Sequence, residues 1–174
     1  MEKSRTACFT GHRPEKLKAA SPQEINSIRS MLYLEIKTAA DRGYKYFITG
    51  MQRGIDLWAG ECVLDLMKEY DIELIAAVPY KGFGSNFRNR DKWIFGRILE
   101  NAGEIVYISE RSSKTVYRMR NEYMTDNASL LIAAVDDFNS GTGQTISLAR
   151  KKGLEIRLIR VDGKDDDDAE QMML

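Results

Sequence analysis

Lys45-Tyr46-Phe47-Ile48-Thr49 is followed by Gly50-Met51-Gln52-Arg53-Gly54, by Ile55-Asp56-Leu57-Trp58-Ala59 and, after residues 60–71, by Ile72-Glu73-Leu74-Ile75-Ala76-Ala77-Val78-Pro79. The first five residues are rich in aromatic and β-branched types and read as a strand. The glycine-bearing segment Gly50 to Gly54 is a turn. From Ile55 to Tyr70 the apolar residues Ile55, Ala59, Cys62, Val63, Leu66 and Met67 recur at three- and four-residue spacing, which puts them on one face of a helix. Ile72 to Val78 is a nearly continuous apolar run, as expected of a strand covered on both faces, and Pro79 closes it. A strand, a helix and a second strand joined this tightly make one parallel βαβ unit.

The same alternation runs outward in both directions. Toward the N-terminus, Thr6 to Thr10 is a short apolar strand stopped by Gly11-His12-Arg13-Pro14, and Pro22 to Arg42 is a helix with Ile25, Ile28, Leu32, Ile36 and Ala39 on one face. Ser21 is its expected N-cap, with Pro22 at the first helical position, Glu24 three residues on and Gly43 as its stop. Toward the C-terminus come a loop (Tyr80 to Arg90), a helix (Asp91 to Asn101), a strand (Glu104 to Ile108) and a polar connection (Ser109 to Lys114). A helix (Thr115 to Asn127), a strand (Ser129 to Val135), a turn-rich loop (Asp136 to Gly143), a short helix (Thr145 to Lys152) and a last strand (Leu154 to Val161) follow. The fold class expected is α/β, a Rossmann-like open, mostly parallel sheet with helices on both faces. One domain fills residues 1–162. Residues 163–174, with four consecutive aspartates from Asp165 to Asp168, are expected to form an acidic, disordered tail rather than a metal site.

Composition narrows the function classes. Lysine plus arginine and aspartate plus glutamate are balanced at 26 each, so no net field attracts nucleic acid or a membrane, and only a local basic patch could. One histidine and two cysteines cannot make a zinc cluster, and no metal site is expected. Cys8 and Cys62 fall in apolar patterns and read as small buried hydrophobes. No apolar run approaches membrane-spanning length, no signal peptide is evident, and the expected location is a reducing cytoplasm.

In an open parallel sheet the ligand sits outside the carboxyl ends of the strands, near the switch in strand order. Three segments should meet there. Thr10, Gly11, His12 and Arg13 follow the first strand; Gly11 allows close backbone approach, Arg13 offers a planar fork for phosphate or carboxylate, and His12 could titrate near neutral pH. Gly50, Arg53, Gly54 and Asp56 open the next helix and could cradle an anion on free N–H groups, although Asp56 could equally complement the helix dipole. Ser140, Gly141, Thr142, Gly143 and Thr145 place small residues and hydroxyls at a helix N-terminus after a parallel strand, the strongest phosphate signal of the three. Arg120 and Asn121, on the preceding helix, could reach the same edge. Phe83, Phe87 and Arg88 could form a lid or a stacking wall, or simply pack their loop down. Trp58 and Trp93 read as helix-packing anchors.

These residues resemble a known family. Thr10-Gly11-His12-Arg13-Pro14, then Gly50-x-x-x-Gly54-Ile55-Asp56-Leu57-Trp58-Ala59, then Pro79-Tyr80, are similar to the YpsA-like branch of the SMF/DprA–LOG (SLOG) superfamily of bacterial and phage proteins, over nearly the whole chain. The C-terminal half also resembles the LOG enzymes, whose R-K-x-x-M and P-G-G-x-G-T-x-x-E signatures correspond here to Arg120-Asn121-Glu122-Tyr123-Met124 and to Ser140–Thr145. In those enzymes an arginine and a glutamate act on the N-glycosidic bond of a nucleoside monophosphate. Here the glutamate positions are Ser147 and Leu148, with no carboxylate to stabilise an oxocarbenium-like sugar.

The resemblance implies a ligand that is a nucleotide or an NAD-derived molecule, bound by a sensor or binding module, and a homo-oligomer. Two alternatives stand beside this expectation. A hydrolase of nucleotide N-glycosidic bonds would draw its catalytic groups from Arg120, Asp56 and Glu122. A single-stranded nucleic acid binder would use Arg88, Arg90, Lys92 and Arg97 with Phe87 and Trp93 interleaved, against the zero net charge.

Overall fold

The computed structural model describes residues 1–17, 21–135 and 141–160. Among these residues six strands form one sheet: β1 (Thr6–Gly11), β2 (Tyr46–Thr49), β3 (Glu73–Tyr80), β4 (Glu104–Ser109), β5 (Leu130–Val135) and β6 (Glu155–Arg160). Every pairing is parallel, and the order across the sheet is β4-β3-β2-β1-β5-β6. The chain builds outward from β1 to β4 on one side, then crosses to the other side for β5 and β6. The switch in order therefore lies between β1 and β5, which pair from Ala7↔Leu130 to Gly11↔Ala134.

Among the described residues five α-helices cover both faces: α1 (Pro22–Asp41), α2 (Ile55–Leu66), α3 (Asn89–Asn101), α4 (Val116–Asp126) and α5 (Gly141–Lys151). α1, α2 and α3 pack on one face over Phe9, Phe47 and Leu74, whereas α4 and α5 pack on the other over Cys8, Ile48 and Ala133. The alternation of these strand residues between two cores is the period-two pattern of a sheet buried on both faces. α1 starts on the capping box read from sequence: the Ser21 hydroxyl accepts from the Glu24 N–H, and the Glu24 carboxylate accepts from the Ser21 N–H. Gly43 ends it with φ of 98°.

Several boundaries shift by one or two residues, α3 for instance beginning at Asn89 and not Asp91, and three differences bear on the reading. β3 runs through Pro79 to Tyr80. Its register with β2 ends at Thr49↔Ala76, so by residue 79 only β4 flanks the strand, and a proline is tolerated at such an open edge. α5 begins at Gly141, not Thr145, so Gly141, Thr142 and Gly143 form its first turn instead of a preceding loop. α2 ends at Leu66, and the chain continues through a turn in which the Tyr70 N–H donates to the Leu66 carbonyl at 2.9 Å.

Trp93 also departs from expectation. Trp58 is a packing anchor at 7% exposed, but Trp93 is 51% exposed, because α3 turns Ile94 and Ile98 into the core and leaves the indole off that face. The loop aromatics Phe83 and Phe87 are buried against each other and against Phe95, edge to face or tilted, so they pack the loop down. Both cysteines are buried, and burial pushes each thiol up to about 12, which leaves them unreactive. Among the described residues no helix is long and apolar enough to cross a membrane. The acidic segment 163–174 and Ser140 lie outside the described residues.

Candidate functional site

The carboxyl end of β1, the strand beside β5, opens onto a cleft of about 740 Å³, within the range of about 300–1,000 Å³ usual for small-molecule sites. Four elements wall it. Thr10 and Gly11 come from the end of β1, and Arg13 and Lys16 from the segment beyond it. Gln52 and Asp56 come from the β2–α2 turn. α4 contributes Tyr117, Arg120 and Asn121 at helical spacing, and α5 contributes Gly141, Thr142, Thr145, Leu148 and Lys151 along one face.

The β2–α2 turn is built inward. Gly50 is required by its neighbours, since a Cβ there would lie 2.9 Å from Asp56 Oδ2 and 3.0 Å from Arg120 Nε. Gly54 has φ of 88°, and a Cβ would lie 2.6 Å from the His12 carbonyl oxygen. The turn's N–H groups are largely taken by the protein. Met51 donates to Thr49 Oγ1, Gln52 to Asp56 Oδ2, Arg53 to Gln52 Oε1 and Ile55 to the His12 carbonyl. The segment therefore offers no open anion cradle; its work is to aim Asp56 and to seat Arg120.

Arg120 is the centre of the site. Its Nη1 donates to the Gly50 carbonyl at 3.0 Å, and its Nε and Nη2 donate to Asn121 Oδ1 at 3.2 and 3.1 Å. The guanidinium lies 5.5 Å from the centroid of the Tyr117 ring. It is buried, and burial lowers its pKa from the ordinary arginine value, opposed by the charge of Asp56. Asp56 is buried too. Loss of water pushes its carboxyl up to about 6, even though Arg120 and the Gln52 N–H pull it down. The first turn of α2 thus holds an acid that changes charge near neutral pH, facing a permanent cation across Gly50.

The remaining electrostatics favour anions. Six lining side chains are cationic (Arg13, Lys16, Lys114, Arg118, Arg120 and Lys151) against the carboxylates of Asp56 and Glu122. Glu122 is tied to Arg118 at 3.1 Å. Arg13, Lys16, Lys114 and Lys151 are exposed and join no ion pair among the described residues. In a chain of zero net charge this is a local concentration of positive potential, set beside the first turn of α5.

The sequence-derived residues divide as follows. Thr10, Gly11, Arg13, Asp56, Arg120, Glu122, Gly141, Thr142 and Thr145 meet on the cleft. His12 is buried behind it, its Nδ1 3.4 Å from Thr142 Oγ1, so it braces the end of β1 against α5. Gly50 and Gly54 shape the turn without lining the cleft. Gly143 is buried in α5. Arg53 points away, pairs with Glu15 and lines a second, smaller depression. Lys16, Lys114, Arg118, Tyr117 and Lys151 escaped the sequence reading. Helical spacing would have found Tyr117, three residues before Arg120, and Lys151, three residues after Leu148; nothing local marks the other three. Ser147 and Leu148, where the LOG enzymes carry glutamate, do line the cleft. Among the described residues no cluster of three histidine, cysteine, aspartate or glutamate side chains could hold a metal ion.

Comparisons with known proteins agree with this architecture. UPF0398 proteins of Bacillus cereus (strain G9842) and Bacillus thuringiensis (strain Al Hakam) are 25% and 24% identical, over 83% and 84% of this chain and 82% and 83% of theirs. Two solved structures share the fold. DNA processing protein A (DprA) from Streptococcus pneumoniae matches with a TM-score of 0.65 at 18% identity, over 98% of this chain and 56% of that one. DprA from Helicobacter pylori, which binds single-stranded DNA, matches with a TM-score of 0.66 at 18% identity, over 98% of this chain and 74% of that one. This chain thus spans little more than half of the pneumococcal protein. Residues 7–162 match the YpsA family, described as the YspA SLOG family, and the chain belongs to that family.

Proposed function

We propose that the chain binds a nucleotide or nucleotide-derived small molecule in the cleft at the carboxyl edge of the sheet, as a sensor or binding module. One observation carries this reading: a cleft at the topological switch point, lined by the first turn of α5, collects six cations in a protein with no net charge. Phosphate would sit at Gly141, Thr142 and Thr145 with Arg13 as its counter-charge, Lys151 would add positive potential from the far end of α5, and the Tyr117 ring would offer an apolar surface to a base or sugar. Binding is favoured over turnover because Ser147 and Leu148 supply no carboxylate where a LOG-type glutamate would stand.

The test is a thermal-shift series against nucleoside mono- and diphosphates, NAD and ADP-ribose, with Arg120→Ala alongside. A ligand at a hundred times its dissociation constant stabilises by about 2.7 kcal/mol, a shift of roughly 5–11 °C for a domain of this size. The expected result is a shift for one nucleotide class that Arg120→Ala abolishes. No shift at millimolar ligand would sink the proposal, and release of free base from a monophosphate would replace it with the hydrolase reading.

The known ligand of the Helicobacter pylori neighbour supports a second reading, in which the nucleotide in the cleft belongs to a strand. The cleft is open to solvent on the side of its exposed lysines, so one nucleotide can be held there while its neighbours remain outside.

A further inference from the structure

A second surface with the chemistry of a nucleic-acid site lies outside the cleft. Trp93 is 51% exposed, and two guanidinium groups hold its indole, Arg90 at 5.4 Å and Arg97 at 5.1 Å from the ring centroid. They stand one turn before and one turn after it on α3. Glu61 anchors Arg90 at 2.8 Å and is itself buried and paired with Arg29, so the arrangement is fixed to α2. Arg88 and Lys92 add two exposed cations that join no ion pair among the described residues. An exposed indole flanked by guanidinium planes is what a nucleobase stacks on, and the surrounding cations suit its phosphates.

This surface connects to the cleft. Arg53, Arg88 and Arg90 line a depression of about 420 Å³. Arg53 belongs to the β2–α2 turn, whose Gly54 sits directly against Arg13, a cleft residue: a Cβ on Gly54 would lie 3.1 Å from Arg13 Cα. Cations therefore follow one another from Arg13 through Arg53 to Arg88, Arg90 and Arg97. A single nucleotide in the cleft uses none of the last three.

We propose that the track from Arg13 to Arg97 is the outer half of a binding surface for a single-stranded oligonucleotide, with Trp93 as a base-stacking platform. The proposal rests on the cleft reading only in that the strand passes through the cleft; the platform itself is a separate site on α3. Stacking and phosphate contact are common to DNA and RNA, so the experiment carries both.

Fluorescence polarisation would be measured with labelled oligothymidylate and oligouridylate of about twelve nucleotides, a length within reach of such surfaces. Wild type, Trp93→Ala and the double variant Arg88→Glu, Arg97→Glu would be compared at two salt concentrations. The expected result is salt-dependent binding that Trp93→Ala weakens by about tenfold. The double variant should lower the salt slope, and both variants should keep the thermal shift given by AMP. A strand preference for deoxyribose or ribose would name the source. Failure to bind either oligonucleotide at low salt, or equal affinity of wild type and Trp93→Ala, overturns the proposal and leaves the cleft reading untouched. Oligonucleotide binding that depends on Trp93 while no mononucleotide shifts the protein supports the platform and removes the small-molecule reading instead.

Discussion

Arg120 donates through Nη1 to the carbonyl of Gly50 at 3.0 Å, tying α4 to the β2–α2 turn across 70 residues of chain. The same guanidinium faces the buried carboxyl of Asp56. One side chain thus closes one wall of the cleft and compensates the charge behind it. Arg120→Ala should cost about 2–4 kcal/mol of stability, since it leaves a buried acid without its cation and a carbonyl without its donor. Arg120→Lys should recover part of this, because an ammonium restores the charge but cannot fork between Gly50 and Asn121. Urea midpoints of the three proteins decide the matter; an unchanged midpoint for Arg120→Ala would mean that water replaces the guanidinium at no cost.

Asp56 makes stability depend on pH in a defined direction. Burial raises its carboxyl from the usual 3.8 to about 6. Between those values the folded chain holds a proton that the unfolded chain has released, so stability falls as pH climbs through the interval. Above it, the ionised carboxylate costs about 3 kcal/mol relative to the neutral form. Asp56→Asn, which keeps an oxygen for the Gln52 N–H, should therefore be more stable than wild type at pH 8 and nearly equal to it at pH 4. Denaturant curves at the two pH values test this. An Asn variant that loses stability at pH 8 but not at pH 4 would show that the charge is needed by the fold and not merely tolerated.

Two glycines separate folding from ligand access. Gly54→Ala meets the His12 carbonyl at 2.6 Å with φ of 88°, so it should destabilise by at least about 1–3 kcal/mol. At Gly141 a Cβ meets nothing within 4 Å, and the residue lines the cleft at the start of α5. Gly141→Leu should fold with a near-native melting temperature and lose the nucleotide-induced shift, because its side chain fills the space proposed for phosphate. Retained binding in Gly141→Leu would place the phosphate elsewhere in the cleft.

How much of this was legible in the sequence depended on how local each signal was. The recurrence of Ile28, Leu32, Ile36 and Ala39 on α1, the β-branched and aromatic run at 46–49 and the apolar run at 74–78 are set by the period of a single element, so fold class and element order followed directly. Pro79 misled because its tolerance depends on where β2 ends, a fact about the neighbouring strand. Trp93 misled because it lies one position from Ile94 and within the scatter of a helical face, and α3 is rotated just enough to leave it in solvent. Of the site, the residues at strand ends and at the start of α5 could be found from strand–loop–helix grammar. Lys114 and Lys16 could not, since no pattern near either marks it as facing a cleft; one precedes α4 and the other follows β1, and only the packed fold brings them to one cleft. The engagement of the β2–α2 turn's N–H groups was invisible for the same reason, as two of their acceptors, Asp56 Oδ2 and the His12 carbonyl, depend on side-chain direction or on another loop.

Lys151 offers the cleanest measurement of the cleft's electrostatics. It lies on the last turn of α5, exposed, lining the cleft and joined to no carboxylate among the described residues. Its removal therefore breaks nothing that the fold uses, and Lys151→Ala should change stability by less than about 0.5 kcal/mol. If a phosphate occupies the cleft, the same change should weaken nucleotide binding several-fold at low salt, by the loss of an unscreened charge, and by less at high salt, where the Debye length falls to about 3 Å at 1 M. Lys152, its neighbour, is the control. It is committed to Asp126 at 2.6 Å and to Thr125 at 2.9 Å, so Lys152→Ala should cost stability and leave nucleotide affinity as it was. Isothermal titration of both variants at two salt concentrations separates these outcomes. Equal losses of affinity in the two would mean that the ligand senses the overall charge of α5 and not a position in the cleft.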